Sequence, residues 1–334
     1  MAGPEVTVTA GTRRKALVLG GGGAYGLVQA AYIQAAYERG FRPDIVVGTS
    51  VGALNGAWVA LYPERAEELL PIWRDLDRIR VLRLNPIRLA GHVVRRRISL
   101  GRNQIVPYLV ERYVGNLRFE DTAVRFAVVA TNLTRARKHV FDRGPLGPAV
   151  LASTAIPGVF EPVEIDGELF VDGGMSCGCD LATAVELGAT EILAIDLTPP
   201  HNRRRPKTAL GVLRQSLAAM SRSATDAMEA CLRHQVPMRM IVPDLARQSP
   251  WRLDVTEQAI AHNLELARTS ITRALDANGN IIPGPRLIGD AAAPVQPERT
   301  RERRFRARVA GLAAALRKPA GARLTTERPP SASG

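Results

Sequence analysis

Ser50 lies in Gly48-Thr49-Ser50-Val51-Gly52, between the apolar run Ile45-Val46-Val47 and the helix-forming run Ala53-Leu54-Asn55-Gly56-Ala57-Trp58. A Gly-x-Ser-x-Gly step between a strand and a helix has the form of a nucleophile elbow. Its glycines let the chain turn without Cβ clashes, so the hydroxyl projects at the sheet edge with a helix N-terminus behind it. The chemistry this points to is acyl transfer through a serine. Two further groups could serve the same reaction. Upstream, Ala16-Leu17-Val18-Leu19 runs into Gly20-Gly21-Gly22-Gly23-Ala24-Tyr25-Gly26, followed by an apolar helical pattern from Leu27 to about Arg39. A glycine loop opening a helix offers free backbone N–H groups and a positive dipole end to an anion. Downstream, Leu169-Phe170-Val171 reads as a strand delivering Asp172, with Gly173 and Gly174 clearing space around the carboxylate.

Taken in order, Gly21-x-Gly23-x-x-Gly26, Gly48-x-Ser50-x-Gly52 and Asp172-Gly173-Gly174, each at a strand end, resemble the patatin-like phospholipases. The segment Ala152-Ser153-Thr154-Ala155-Ile156-Pro157-Gly158-Val159-Phe160 is similar to the one that precedes the aspartate in that family. The resemblance spans roughly residues 14 to 200 and more weakly extends to about 275. It implies a three-layer α/β/α sandwich with a mostly parallel central sheet, and a Ser-Asp dyad of Ser50 and Asp172 acting on acyl esters of lipids or phospholipids. Two positions depart from the family pattern. Tyr25 stands where many members carry Arg or Lys, and Gly178-Cys179-Asp180 stands where many have Asn-x-Pro.

On this reading Asp172 takes the proton of Ser50, and the amides of Gly21, Gly22, Gly23 and Ala24 hold the oxyanion. A carboxylate of ordinary pKa is a poor base for serine, so burial must raise it. Four alternatives stand beside this one. A Ser-His-Asp hydrolase shares the elbow, but none of His92, His139, His201, His234 and His262 follows a strand in a Gly-rich turn. Dinucleotide binding shares the glycine loop, but expects an acidic residue at the end of the second strand, where Gly48-Thr49-Ser50 stands and Asp44 comes too early. A non-catalytic lipid-binding or scaffold protein would keep the fold without the reaction. Nucleic-acid binding would use the basic tail, yet that tail interleaves only Phe305 among its arginines.

The elements that must position these groups alternate: strands at 16 to 19 and 45 to 47, helices at 27 to 39 and 52 to 61. Strand patterns resume at 125 to 130, 169 to 171, 191 to 196 and 238 to 242, with helices at 210 to 231 and 255 to 275. Alternation of this kind predicts parallel pairing through right-handed crossovers. Asp166-Gly167 predicts a hairpin turn into the strand that carries Asp172. Leu210, Leu213, Leu217, Met220, Ala224, Met228 and Cys231 form an apolar stripe at helical spacing, expected to face the core. The domain expectations are a leader over residues 1–13, a catalytic domain over 14–278 with a helical cap at 63–118, and a basic, disordered tail over 279–334.

Composition narrows the classes further. With 334 residues, 46% of them apolar, the chain can bury a substantial core. The net charge is +13, and residues 297–334 hold ten Lys/Arg against three Glu. A basic surface favours anionic partners, here an anionic membrane surface met by a basic helix at 301–318. No run of about 18 apolar residues suggests a spanning helix, and residues 1–11 lack the pattern of a signal peptide, so a cytoplasmic, at most peripheral, protein is expected. Cys177, Cys179 and Cys231 make no disulfide framework. Cys177-Gly178-Cys179 lacks a companion Cys/His cluster at ligand spacing, so neither metal nor cofactor is expected.

Overall fold

A computed structural model describes residues 13–78, 105–198, 205–206, 209–245 and 256–289. Its centre is a nine-stranded sheet. The strand β1 (Lys15–Leu19) pairs in parallel with β2 (Ile45–Thr49) on one side and with β7 (Glu191–Ile195) on the other. Beyond β7, β8 (Met238–Val242) and β9 (Leu287–Ile288) continue the parallel run. On the other flank, β3 (Arg125–Asn132) pairs in parallel with β2. The remaining strands turn the sheet mixed: β4 (Arg137–Phe141) and β6 (Glu168–Asp172) run antiparallel to β3, and β5 (Val163–Ile165) runs antiparallel to β6.

The central strands are near-continuous apolar runs because both faces are covered, as a parallel sheet requires. Alternate residues of each strand feed two cores. Leu17, Leu19, Val46, Phe126 and Leu193 pack under α1 (Gly26–Glu38), α2 (Val51–Leu61), α3 (Leu69–Arg78), α4 (Ile105–Tyr113), α5 (Leu146–Thr154) and α8 (Glu257–Ala274). Ala16, Val18, Ile45, Val47 and Ala194 pack on the opposite face, under α6 (Leu181–Glu186) and α7 (Ala209–Leu232). The result is the expected three-layer sandwich.

The register around β3 decides where the chemistry falls. β2 occupies one edge of β3 as far as Thr49 opposite Val129, and β6 takes over that same edge with Asp172 opposite Ala130. β4 uses the other edge, from Val128 to Asn132. Two strands thus meet nearly end to end along β3, and the end of β2 faces the end of β6.

Three expectations need correction. The tail does not begin at 279: Ile281 bridges to Leu275, and β9 adds Leu287 and Ile288 to the sheet, because their backbone satisfies the open edge of β8. The leader does not reach 13, where Arg13 pairs with Glu191 at 3.2 Å. The apolar stripe on α7 faces the core only in part. Leu213 is 55% and Met220 63% exposed, whereas Ser221, Thr225 and Glu229 are the buried positions of that helix. Of the helical cap, 69–78 and 105–113 are helical, while residues 79–104, with Arg95-Arg96-Arg97, lie outside the described residues. So does the segment 301–318. Among the described residues no helix is long and apolar enough to cross a membrane.

Candidate active site

Ser50 sits between the last residue of β2 and the first of α2 with φ 55° and ψ −124°. A residue with a Cβ in that region stores strain, which persists only where the surroundings over-determine it. Here the surroundings are specific. The Ser50 amide donates to Ser153 Oγ at 2.8 Å, and that hydroxyl donates to the Val129 carbonyl at 2.6 Å. The turn is also packed too tightly for side chains: a Cβ on Gly52 would lie 2.1 Å from the Leu19 carbonyl oxygen, and one on Gly48 would lie 2.5 Å from that of Gly52. Ser50 Oγ donates to Asp172 Oδ2 at 2.5 Å, and Asp172 Oδ1 accepts from the Gly174 amide at 2.8 Å.

Asp172 is held from its backbone as well. Its N–H donates to the Ala155 carbonyl at 2.9 Å, and its own carbonyl accepts from Thr131 Oγ1 at 3.0 Å. Gly173 must follow, since a Cβ there would lie 2.1 Å from the Val129 carbonyl oxygen. Ser50 and Asp172 are both buried. Burial pushes the Asp172 carboxyl up to about 6, against the lowering effect of its bonds from Ser50 and Gly174. The structure thus brings Ser50 together with a buried carboxyl of raised pKa.

The glycine loop lies against the nucleophile, with one change from expectation. The Gly21 amide donates to the Gly178 carbonyl at 2.9 Å, so it is not on offer to an oxyanion. Gly21 instead brings its backbone up to the serine: a Cβ there would stand 3.1 Å from Ser50 Cβ and 3.8 Å from its Oγ. Gly22, Gly23 and Ala24 enter a 3₁₀ turn, Gly23–Tyr25, that leads into α1, with Gly23 at φ 58°. Amides at such a helix start have no intrahelical acceptor. The departures from the family pattern acquire roles here. Gly178 supplies the carbonyl that anchors the loop, Asp180 caps α6 and pairs with Lys138 at 2.7 Å, and Tyr25 is buried in the core under α1.

A buried polar chain supports the loop from behind. Trp73 Nε1 on α3 donates to Asn55 Oδ1 at 2.8 Å, and Asn55 Nδ2 donates to the Gly26 carbonyl at 3.1 Å and to Gln29 Oε1 at 3.0 Å. Gln29 Nε2 then donates to the Gly20 carbonyl at 3.0 Å. Sequence reading places Asn55 in the helix-forming run after the elbow but misses Gln29, Trp73 and the tether from Ser153. A Gln inside the otherwise apolar face of α1 was the available signal, since a buried amide requires partners.

His139, which faces Ala130 from β4 as Asp172 does from β6, is separated from the aspartate by β3 and packs on the rings of Phe141 and Phe170. Burial lowers its pKa. Burial likewise raises the thiols of Cys177, to about 11, and Cys179, so neither is a ready thiolate. Among the described residues no three His, Cys, Asp or Glu side chains converge as metal ligands would.

The family model described as patatin-like phospholipase matches residues 17–184, which hold the glycine loop, the elbow and the aspartate. The chain belongs to the patatin-like phospholipase family. Within it, the chain is 35% identical over 185 residues to an uncharacterised NTE family protein of Mycobacterium tuberculosis, a match covering 55% of this chain and 49% of the relative. It is 29% identical over 185 residues to the lysophospholipase nte1 of Aspergillus terreus, covering 55% of this chain and 12% of that one. The match thus spans about half of the mycobacterial relative and a small part of the fungal one. Among solved structures, VipD from Legionella pneumophila matches with a TM-score of 0.43 at 14% identity, over 78% of this chain and 66% of that chain.

Proposed function

We propose that this patatin-like chain is a serine hydrolase of lipid acyl esters, working through a Ser50–Asp172 dyad. The observation that carries the proposal is the 2.5 Å hydrogen bond from Ser50 Oγ to a buried carboxylate of raised pKa. Asp172 accepts the serine proton as Oγ attacks the acyl carbonyl, and the tetrahedral oxyanion forms against the amides of Gly22, Gly23 and Ala24 at the start of α1. Collapse expels the alcohol, which takes the proton back from Asp172. Water, deprotonated by the same carboxylate, then attacks the acyl-enzyme, and Ser50 Oγ leaves with the proton returned from Asp172. Each oxyanion donor of this kind contributes about 3 kcal/mol to the transition state. The naming of a relative as a lysophospholipase favours phospholipid-derived substrates.

The test is hydrolysis of a short-chain p-nitrophenyl ester and of mixed phospholipid vesicles by wild type, Ser50→Ala and Asp172→Asn. Both substitutions are expected to abolish turnover of either substrate with the fold retained by circular dichroism. A wild type inert on both, or a Ser50→Ala variant as active as wild type, would replace this reading with that of a non-catalytic lipid-binding protein.

A further inference from the structure

The helix α7 carries large apolar side chains that are exposed. At 100° per residue, its buried positions Ser221, Thr225 and Glu229 lie along one side. Val212, Leu213, Leu217 and Met220 fall within an arc of about 140° on the other side. Val212 is 51% exposed, and Leu213 and Met220 are more exposed still. Past Met220 the same arc holds Ser223, Ala224, Ala227, Ala230 and Cys231, so the large apolar groups are confined to the first half of the helix.

That first half overhangs the catalytic edge of the sheet. α7 runs antiparallel to the strands. Its residue Ser221 lies level with Gly178 and Thr198 at the C-terminal end of β7, and Leu232 is followed shortly by the start of β8. Residues 209–220 therefore project about 18 Å past that edge. None of their described side chains is buried. The helix also packs on the turn Gly173–Met175 that follows Asp172.

A second apolar projection stands on the other flank. β3 runs past the end of β2, and its continuation places Leu133, 48% exposed, beside Leu169, 41% exposed, with the Leu133 amide bonded to the Leu169 carbonyl. Positive charge accompanies the apolar groups. Arg205, four residues before α7, is exposed, and so is Arg137, near Leu133.

We infer that these two projections form a bilayer-docking rim that seats the catalytic edge on an anionic lipid surface. The apolar groups enter the interface while the exposed Arg205 and Arg137 meet the headgroups. The inference rests on the lipid-hydrolase reading for the sense of the orientation, but its test does not require turnover.

Full-length Ser50→Ala protein is sedimented with vesicles of pure phosphatidylcholine and of equal parts phosphatidylcholine and phosphatidylglycerol, with and without Val212→Gln, Leu213→Gln and Met220→Gln together. Glutamine keeps nearly the helix propensity of leucine and methionine. The expected result is preference for the anionic vesicles and a fall of at least about tenfold in partitioning for the triple variant, since binding scales with the apolar area buried. In the Ser50 background, the same three changes should leave p-nitrophenyl ester hydrolysis unchanged while lowering vesicle hydrolysis. Leu213→Trp adds a readout that leaves the helix intact: its emission should be quenched by brominated lipid beyond the wild-type signal. Equal partitioning of wild type and triple variant, no vesicle binding by wild type, no added quenching, or a wild-type dimer that the triple change makes monomeric would each overturn the inference. Vesicle binding without esterase activity would instead strike the hydrolase reading and leave the docking surface standing.

Discussion

At the scale of single residues, the proposed dyad makes the state of Asp172 govern both rate and stability, in opposite senses. Its carboxyl titrates at about 6 in the folded protein because burial penalises the charge, against about 3.9 in an unfolded chain. Only the ionised form can take the Ser50 proton, so kcat/KM for a soluble ester is expected to rise with pH and level off with an apparent pKa of about 6. A profile flat between pH 5 and 8 would remove Asp172 as the base. The stability sign is reversed. The native state binds the extra proton between the two pKa values, so folding loses free energy as pH rises through that window, at most about 3 kcal/mol by pH 8. Asp172→Asn is therefore expected to be more stable than wild type at pH 8 and equal to it at pH 4, measured by chemical denaturation. Ser153 makes the complementary case. Ser153→Ala leaves the buried Ser50 amide without its acceptor, costing about 1–3 kcal/mol of stability. Because that bond holds Ser50 in its strained backbone, kcat should fall with little change in KM, whereas Ser153→Thr, which keeps the hydroxyl, should restore part of the rate.

At the scale of elements, the parallel core was legible in the sequence because it is written in its simplest form: apolar runs ended by glycine, then helices. The strands β1, β2, β7 and β8 and the helices α1 and α2 lie where the pattern puts them, and Asp166 and Gly167 make the anticipated hairpin with positive φ at both positions. What escaped lies at the margins. β4 is half-exposed and carries Arg137, Lys138 and His139, so it shows no apolar run; α6 is only six residues long; and α5 carries Gly147 and Pro148 in its first turn. The antiparallel entry of β6 at the end of β2 is a tertiary choice with no local signature. The chain from Trp73 through Asn55 and Gln29 to Gly20 was equally hidden, since each link joins residues of different elements. It predicts that Gln29→Met, close in volume but unable to hold the Gly20 carbonyl, lowers kcat several-fold with KM nearly unchanged, because the loop loses its position and not its substrate contacts. A proportional loss of active protein, seen by titrating sites with a covalent phosphonate, would mark the residue as merely structural.

At the scale of the whole molecule, the two layers are fastened to the sheet by different physics. The layer of α1, α2 and α8 lies over one large apolar cluster, whereas α7 adds buried polar and charged positions, Ser221, Thr225 and Glu229, to the apolar contacts of Met228 and Leu232. Asp196, fully buried at the end of β7, pairs with Arg222 of α7, and Arg286 at the start of β9 pairs with Asp226, at 2.7 Å, and with Glu229. Burial raises the Asp196 carboxyl pKa even though Arg222 pulls it down, the mark of a charge whose desolvation is only partly offset. Such a pair adds little net stability compared with apolar residues of the same volume, yet removing one partner strands the other. Arg222 also reaches Asp226, at 3.8 Å, but one of its buried guanidinium nitrogens has no hydrogen-bond partner among the described residues. Asp196→Ala is therefore expected to cost about 3–5 kcal/mol in chemical denaturation, and Asp196→Leu combined with Arg222→Met to recover most of it. A loss below about 1 kcal/mol for Asp196→Ala would mean that water reaches Arg222 and that α7 is held without this pair. Because α7 also flanks the turn after Asp172, the single variant should lose ester hydrolysis at a lower denaturant concentration than it loses the helical signal of the opposite layer.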